Sequence, residues 1–144
     1  MIVPDVNLLV YAHVDASEQH ARARDWWSAA LNGDETVGLC HPVLFGFIRV
    51  TTNRRIFQAP MRVEESIARV ESWLLRPQVE LVSPGPRHFE IAFQLLRALG
   101  TAANLTMDAQ LAAFAMENQA ELYSNDTDFG RFPGLRLVNP LARR

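Results

Sequence analysis

The chain has no lysine: all 14 of its basic residues are arginine. A GC-rich genome is enough to explain that bias, but its chemical consequence stands whatever the cause. P-loop nucleotide hydrolysis, protein-kinase phosphoryl transfer and Schiff-base catalysis each require a lysine, so all three are excluded. Cysteine is nearly absent as well. A lone Cys40 forms no internal disulfide and no cysteine-rich zinc site. The 4 histidines are scattered without zinc spacing. No apolar run approaches the roughly 20 residues that cross a bilayer. The opening MIVPDVNLLVYAH lacks a basic start and carries Asp5 inside its apolar stretch, so it reads as a core element and not as a secretion signal. A cytoplasmic protein without a membrane partner is expected. With a net charge of −2, nothing draws the whole molecule to nucleic acid or to an anionic membrane.

What is present suits a globular α/β protein. A chain of 144 residues, 49% of them hydrophobic, predicts one domain over residues 1–144 with a core of two or three layers. Met1–Pro4 reads as a buried strand and Val6–His13 as the helix that follows. Ser17 is expected to cap a helix through about Leu31, which Asn32-Gly33 ends. Thr36–Cys40 reads as the second strand, and Pro42 suits the first turn of a helix to about Thr52. A basic loop from Asn53 to Pro60 follows. In Val63–Leu75, helical spacing predicts a core face of Val63, Ile67, Val70 and Leu74. Val79–Val82 is a third strand, and Arg87–Leu99 a helix. Gly100–Leu105 is a loop, with Thr106 expected to cap a helix to about Gln119. Glu121–Ser124 and Arg136–Val138 are the last strands. Strand–helix alternation without an internal repeat predicts a parallel sheet with helices on both faces.

Four aspartates stand at informative places in this pattern. Asp5 follows the first strand, in an apolar neighbourhood where an isolated carboxylate is costly to bury. Helix N-capping is the bland role there, and it is compatible with a second one. Asp108 lies in the first turn of its helix, where the helix dipole favours an acid. It nevertheless shares a face with Leu111, Ala112 and Ala115, which turns it toward the core or the sheet rim. Asp126 and Asp128 follow the fourth strand in the turn-rich segment SNDTDFGRFPG. In a parallel sheet these positions share one rim, the carboxyl ends of the strands. Carboxylates gathered there repel one another, and their pKa values rise unless a cation sits among them. Mg2+ and Mn2+ suit such oxygen donors, polarise a phosphate and make water more acidic. Metal-assisted hydrolysis is the chemistry this grouping predicts. The Asp128-Phe129-Gly130 triplet matches a kinase motif only by accident, since glycine-rich loop and lysine are both missing.

These residues resemble a known family. The opening PDVNLLVYA and the segment NLTMDAQLAAFAMENQAELYSNDTDFGRFPGLRLVNPL look like a PIN-domain ribonuclease, and more narrowly like the VapC toxins of bacterial type II toxin–antitoxin pairs. The resemblance covers essentially the whole chain. It implies a three-layer α/β/α sandwich with a mainly parallel central sheet. It also implies endoribonuclease activity dependent on Mg2+ or Mn2+, an antitoxin that blocks the active site, and a homodimer. Matched by position, Asp5 and Asp108 are the principal metal ligands and Asp126 is the acid after the fourth strand. Asp128 is an outer ligand or a supporting group. Many members carry a glutamate in the helix after the second strand, in an E-x-x-R pattern. Here that stretch is Gly46-Phe47-Ile48-Arg49, with the arginine kept and the acid gone. The loss predicts weaker metal binding, or one metal instead of two. Asp25 is the one candidate for a substitute acid.

Arg49, Arg54 and Arg55 form a small basic patch whose guanidinium forks suit RNA phosphates. Asn7 and Ser124 stand beside the predicted ligands and are expected to orient them by hydrogen bonds. Trp26, Trp27 and Trp73 read as core or interface residues. Adjacent tryptophans on a helix cannot both face inward, so one of the first two faces a partner. The leading reading is a toxin that cuts structured RNA, such as tRNA or rRNA, with metal-activated water. One alternative is an antitoxin-binding module with weakened catalysis, prompted by Gly46. The other is a haloacid-dehalogenase-like phosphatase using Asp5 as nucleophile. That chemistry wants a second aspartate at position 7 and a lysine, and the chain has Asn7 and no lysine.

Overall fold

The structure, a computed structural model, describes residues 1–143. Its strands are β1 (Ile2–Pro4), β2 (Val37–Cys40), β3 (Val79–Val82), β4 (Glu121–Tyr123) and β5 (Leu137–Val138). The helices are α1 (Val6–His13), α2 (His20–Asn32), α3 (His41–Thr51), α4 (Val63–Leu74), α5 (His88–Leu99) and α6 (Thr106–Glu117). The strands form one sheet in the order β3-β2-β1-β4-β5, and every pairing is parallel.

That order positions the site. From β1 the chain steps outward to β2 and β3, then returns to the other side of β1 as β4 and β5. With right-handed crossovers, the two directions of travel put their helices on opposite faces. The packing agrees: α1 contacts α2 and α3, α3 contacts α4, and α5 pairs with α6. The reversal falls between β1 and β4, and the crevice outside their carboxyl ends is where α/β sheets place ligands. β1 and β2 are buried along their whole length, as central parallel strands should be. The core between the layers holds Leu8, Leu9, Leu39, Phe47, Phe114 and Leu122.

Three local expectations change. Ser17 does not cap α2, which starts at His20; its hydroxyl instead accepts the Gln19 N–H at 3.1 Å and donates to Gln19 Oε1 at 2.8 Å, closing the preceding turn. Thr106 is the first residue of α6 rather than its cap. A 3-10 turn, Ala103–Leu105, leads into the helix, and the Thr106 hydroxyl donates back to Ala103 O at 2.9 Å. The third change is the face of α4. Ser66, Val70 and Trp73 are buried, while Val63, Ile67 and Leu74 are exposed. The cause is a polar contact inside the core: the Ser66 hydroxyl meets Thr51 Oγ1 at 2.8 Å. That bond satisfies both buried groups, so serine occupies the inner face. Trp73 then reaches Phe47, Trp27 and His13. Of the adjacent tryptophans, Trp27 is buried and Trp26 is half-buried, stacked on Tyr123 at 5.7 Å.

Candidate active site

Asp5 is the first residue past β1 and Ser124 the first past β4. The strands pair Pro4 with Tyr123, and the Asp5 N–H donates to Tyr123 O at 2.8 Å, so the next side chains must meet. The Ser124 hydroxyl donates to Asp5 Oδ2 at 2.8 Å. Ser124 Oγ itself accepts the Asp126 N–H at 3.0 Å, and Asp126 Oδ1 accepts the Asp128 N–H at 2.9 Å. One chain of hydrogen bonds thus ties the buried carboxylate to the acidic loop. Asp126 caps the 3-10 turn Thr127–Arg131 that carries Asp128. Asp5 sits at the N-cap position of α1 beside the backbone of Val6 and Asn7, but its well-formed side-chain hydrogen bond is the one to Ser124.

Burial pushes the Asp5 carboxyl up, and the nearby Asp126 charge adds to this, while the Ser124 hydrogen bond opposes it. Asp108 is pushed up to about 6, first by burial and then by Asp5, Asp126 and Asp128. Arg131 is the cation that opposes this rise. Asp108 therefore stands in the combined field of the other three aspartates. None of the four belongs to an ion pair among the described residues.

Asp5 and Asp108 line one cleft of about 220 Å³, together with Gly46, Arg49, Met107 and Phe114. Asp126 and Asp128 stand outside that lining. Among the described residues no group of three or more acids, histidines or cysteines is gathered closely enough to hold a metal ion by itself. Mg2+ and Mn2+ do not depend on such a cluster, because they keep several waters and share their shell with substrate phosphate oxygens. The donors present are carboxylate oxygens with unrelieved mutual repulsion, and that chemistry fits a hard divalent cation. Cys40 also lines the cleft, but burial raises its thiol to about 11, so it is protonated and no competing soft ligand.

Other predicted residues fall differently. Ser124 holds Asp5 as expected. Asn7 is exposed, and no hydrogen bond joins its side chain to an aspartate. Arg49 lines the cleft, whereas Arg54 and Arg55 are exposed beyond the end of α3, outside the lining. Asp25 is exposed on α2 and pairs with Arg24 at 3.4 Å, so it replaces no acid at position 46. Arg131 escaped the sequence reading. Its signal was its place three residues after Asp128 in the same turn-rich segment, which folds as one 3-10 turn.

These shifts carry a pH prediction. Folded and without metal, Asp108 keeps its proton to about 6, against 3.8 as the ordinary value. Between those values the folded chain holds more protons than the unfolded one, so its stability falls as pH rises through that window. Asp5 acts in the same direction. A divalent cation relieves the repulsion only once the acids are ionised. Thermal unfolding is expected to show a larger gain from Mn2+ at about pH 8 than at about pH 5. Equal gains at both would count against the shared acidic field.

The comparisons with known proteins agree with this geometry. The PIN domain family model matches residues 2–135. Ribonuclease VapC33 of Mycobacterium tuberculosis is 49% identical over 141 residues, covering 98% of this chain and 99% of that protein. The VapBC2 complex of Rickettsia felis, solved bound to a promoter DNA fragment, superposes with a TM-score of 0.69 at 20% identity, covering 96% of this chain and 98% of that one. VapC20 of Mycobacterium tuberculosis, a sarcin–ricin loop cleaving toxin, gives a TM-score of 0.63 at 18% identity, covering 94% and 99%. With a rim of acids at the turn of the sheet and a curated relative matched along nearly its whole length, the chain belongs to the PIN-domain family, among the VapC ribonucleases.

Proposed function

We propose that this protein is a divalent-cation-dependent endoribonuclease, the toxin of a type II toxin–antitoxin pair, with Mg2+ or Mn2+ held by Asp5, Asp108 and Asp126. The observation that carries this reading is the buried Asp5, fixed by Ser124 at the β1–β4 crevice beside an Asp108 raised to about 6. Asp5 and Asp108 are the principal ligands, Asp126 the third, and Asp128 an accessory acid that deepens the negative field. A bound cation supplies charge neutralisation at the phosphate and a more acidic water. Ser124 holds Asp5 in one orientation through catalysis. Arg49 faces the same cleft and takes a phosphate oxygen of the RNA backbone. Arg54 and Arg55 extend that contact along the strand. The substrate is structured RNA, and the site of action is the cytoplasm; no described helix is long and apolar enough to cross a membrane. A cognate antitoxin and a second copy of the chain are the protein partners. Exposed Phe45, Leu81, Phe89 and Phe93 provide apolar surface for them.

Gly46 favours a second reading, an antitoxin-binding module with weakened catalysis, because the cleft lining holds only Asp5 and Asp108 as acids. One experiment separates the two. Purified protein is incubated with total RNA in Mg2+ or Mn2+, then in excess EDTA. The ribonuclease reading expects cleavage that falls at least about 100-fold in EDTA and returns with added Mn2+. Induction alone is expected to arrest growth, with rescue by the antitoxin. Full cleavage in EDTA overturns the metal assignment, and antitoxin binding without any cleavage favours the second reading.

A further inference from the structure

The cleft beside Asp5 and Asp108 has more apolar wall than phosphodiester cleavage needs. Val6, Pro42, Val43, Met107, Leu111 and Phe114 all face it. A phosphate is charged and gains nothing from such walls. A flat group with apolar faces does. The volume of about 220 Å³ equals roughly seven waters at about 30 Å³ each. It has room for a single ring system.

Gly46 keeps this space open. A Cβ at that position would stand 3.3 Å from Val6 Cγ2 on α1, and a longer side chain would take up space in the cleft that both residues line. Arg49 lies one turn further along α3, lines the same cavity, and belongs to no ion pair among the described residues. The missing acid thus leaves a cavity with carboxylates at one side and a free guanidinium at another. Its remaining walls are apolar, with a protonated thiol, Cys40, among them.

Resting on the ribonuclease reading above, we propose that this cleft is a nucleobase subsite, which takes the base of a nucleotide next to the cut phosphodiester, and that Gly46 determines specificity by leaving room for it. Every base offers a π-face that packs on apolar side chains, and unstacked bases in RNA loops are open to such capture. Met107, more than half exposed at 57%, is a flexible thioether wall that adapts to the ring edge. Arg49 holds the adjoining phosphate, so the base and the phosphate are read together.

The test uses the four nucleoside 5′-monophosphates, with ribose 5-phosphate as the baseless control. Each is titrated into the full chain in Mg2+ and followed by calorimetry. At least one nucleotide is expected to bind about tenfold more tightly than ribose 5-phosphate. Gly46→Leu is expected to abolish that margin while ribose 5-phosphate binding persists. Gly46→Ala reduces it partway; both changes favour helix over glycine but bring a Cβ to 3.3 Å from Val6, so thermal unfolding is measured on each variant and only folded protein is compared. Met107→Ala, at an exposed wall, is expected to reduce the margin severalfold. No margin in the unmodified chain, or an undiminished one in folded Gly46→Leu, overturns the subsite. Cleavage assays on the same preparations separate the two readings. RNA cutting without a base margin overturns the subsite alone, and a base margin without cutting supports the subsite and overturns the ribonuclease reading.

Discussion

Asp5→Asn and Asp108→Asn are each expected to lower RNA cleavage by at least about 10³-fold, equivalent to about 4 kcal/mol of barrier, and to abolish growth arrest. Asparagine keeps the shape of aspartate and removes its charge. At position 5 the amide oxygen still accepts the Ser124 hydroxyl, whose bond to Asp5 is 2.8 Å long. A neutral group is also easier to bury than the carboxylate it replaces. At position 108 the change removes a group raised mainly by burial and then by three neighbouring acids. Asp108→Asn is therefore expected to be at least as stable as the parent in EDTA above about pH 6, where Asp108 is ionised beside the other acids, and Asp5→Asn to be no less stable, because it removes a carboxylate whose charged form burial disfavours. Activity should fall while stability holds or rises, a combination that general damage to the fold does not produce. Cleavage assays, Mn2+ binding and thermal unfolding on the same samples check it. Undiminished cleavage in either variant would falsify the assignment of that carboxylate.

Trp73→Ala is expected to be the most destabilising single change in the helical layer, by about 3–5 kcal/mol. Trp73 is 2% exposed on α4. Its ring lies 4.8 Å from Phe47 on α3, 5.4 Å from Trp27 on α2 and 5.3 Å from His13 on α1. One side chain therefore pins four helices, with each aromatic pair adding about 0.5–1.5 kcal/mol beyond burial. Set against a total stability of about 5–15 kcal/mol, the loss is large, and Tm is expected to drop by roughly 10–15 °C. Val63→Ala is the control. Val63 is 53% exposed, although helical spacing puts it on the predicted core face. It is expected to change stability by less than about 0.5 kcal/mol. Chemical denaturation of the two variants measures both values, and a reversed order would sink the observed orientation of α4.

The contrast at α4 marks where sequence reading stops. Spacing of apolar residues located the helix and its length, because amphipathic periodicity reports on every turn at once. It placed Val70 in the core correctly but put Val63, Ile67 and Leu74 there instead of Ser66 and Trp73, because serine counts as polar in any pattern. Only the structure shows Thr51 beside Ser66, from a helix that packs across it. Caps failed for a similar reason: Ser17 and Thr106 have suitable side chains, but nearby turns take their hydrogen bonds. At the site, Asp5, Asp108 and Ser124 were legible from their places at strand and helix ends. Arg131 was not, since its nearness to Asp108 depends on how a 3-10 turn folds back over the rim. Asn7 and Asp25 had the right chemistry and face solvent instead.

By itself the sequence determined the chemical repertoire and the family. The absence of lysine, the spacing of the four aspartates and the strand–helix alternation are local or compositional properties, readable without knowing what touches what. The tertiary structure decided which acids share a field, which arginine faces them and what fills the space at position 46. Those depend on strand order and on packing between helices far apart in the chain. The β1–β4 pairing brings residues 5 and 124 within 2.8 Å of each other across 119 positions, and no local pattern contains that contact. Glycine at position 46 reads in the sequence as a lost ligand. In the fold, with Val6 on one side and Met107, Leu111 and Phe114 on another, the same glycine opens a cavity.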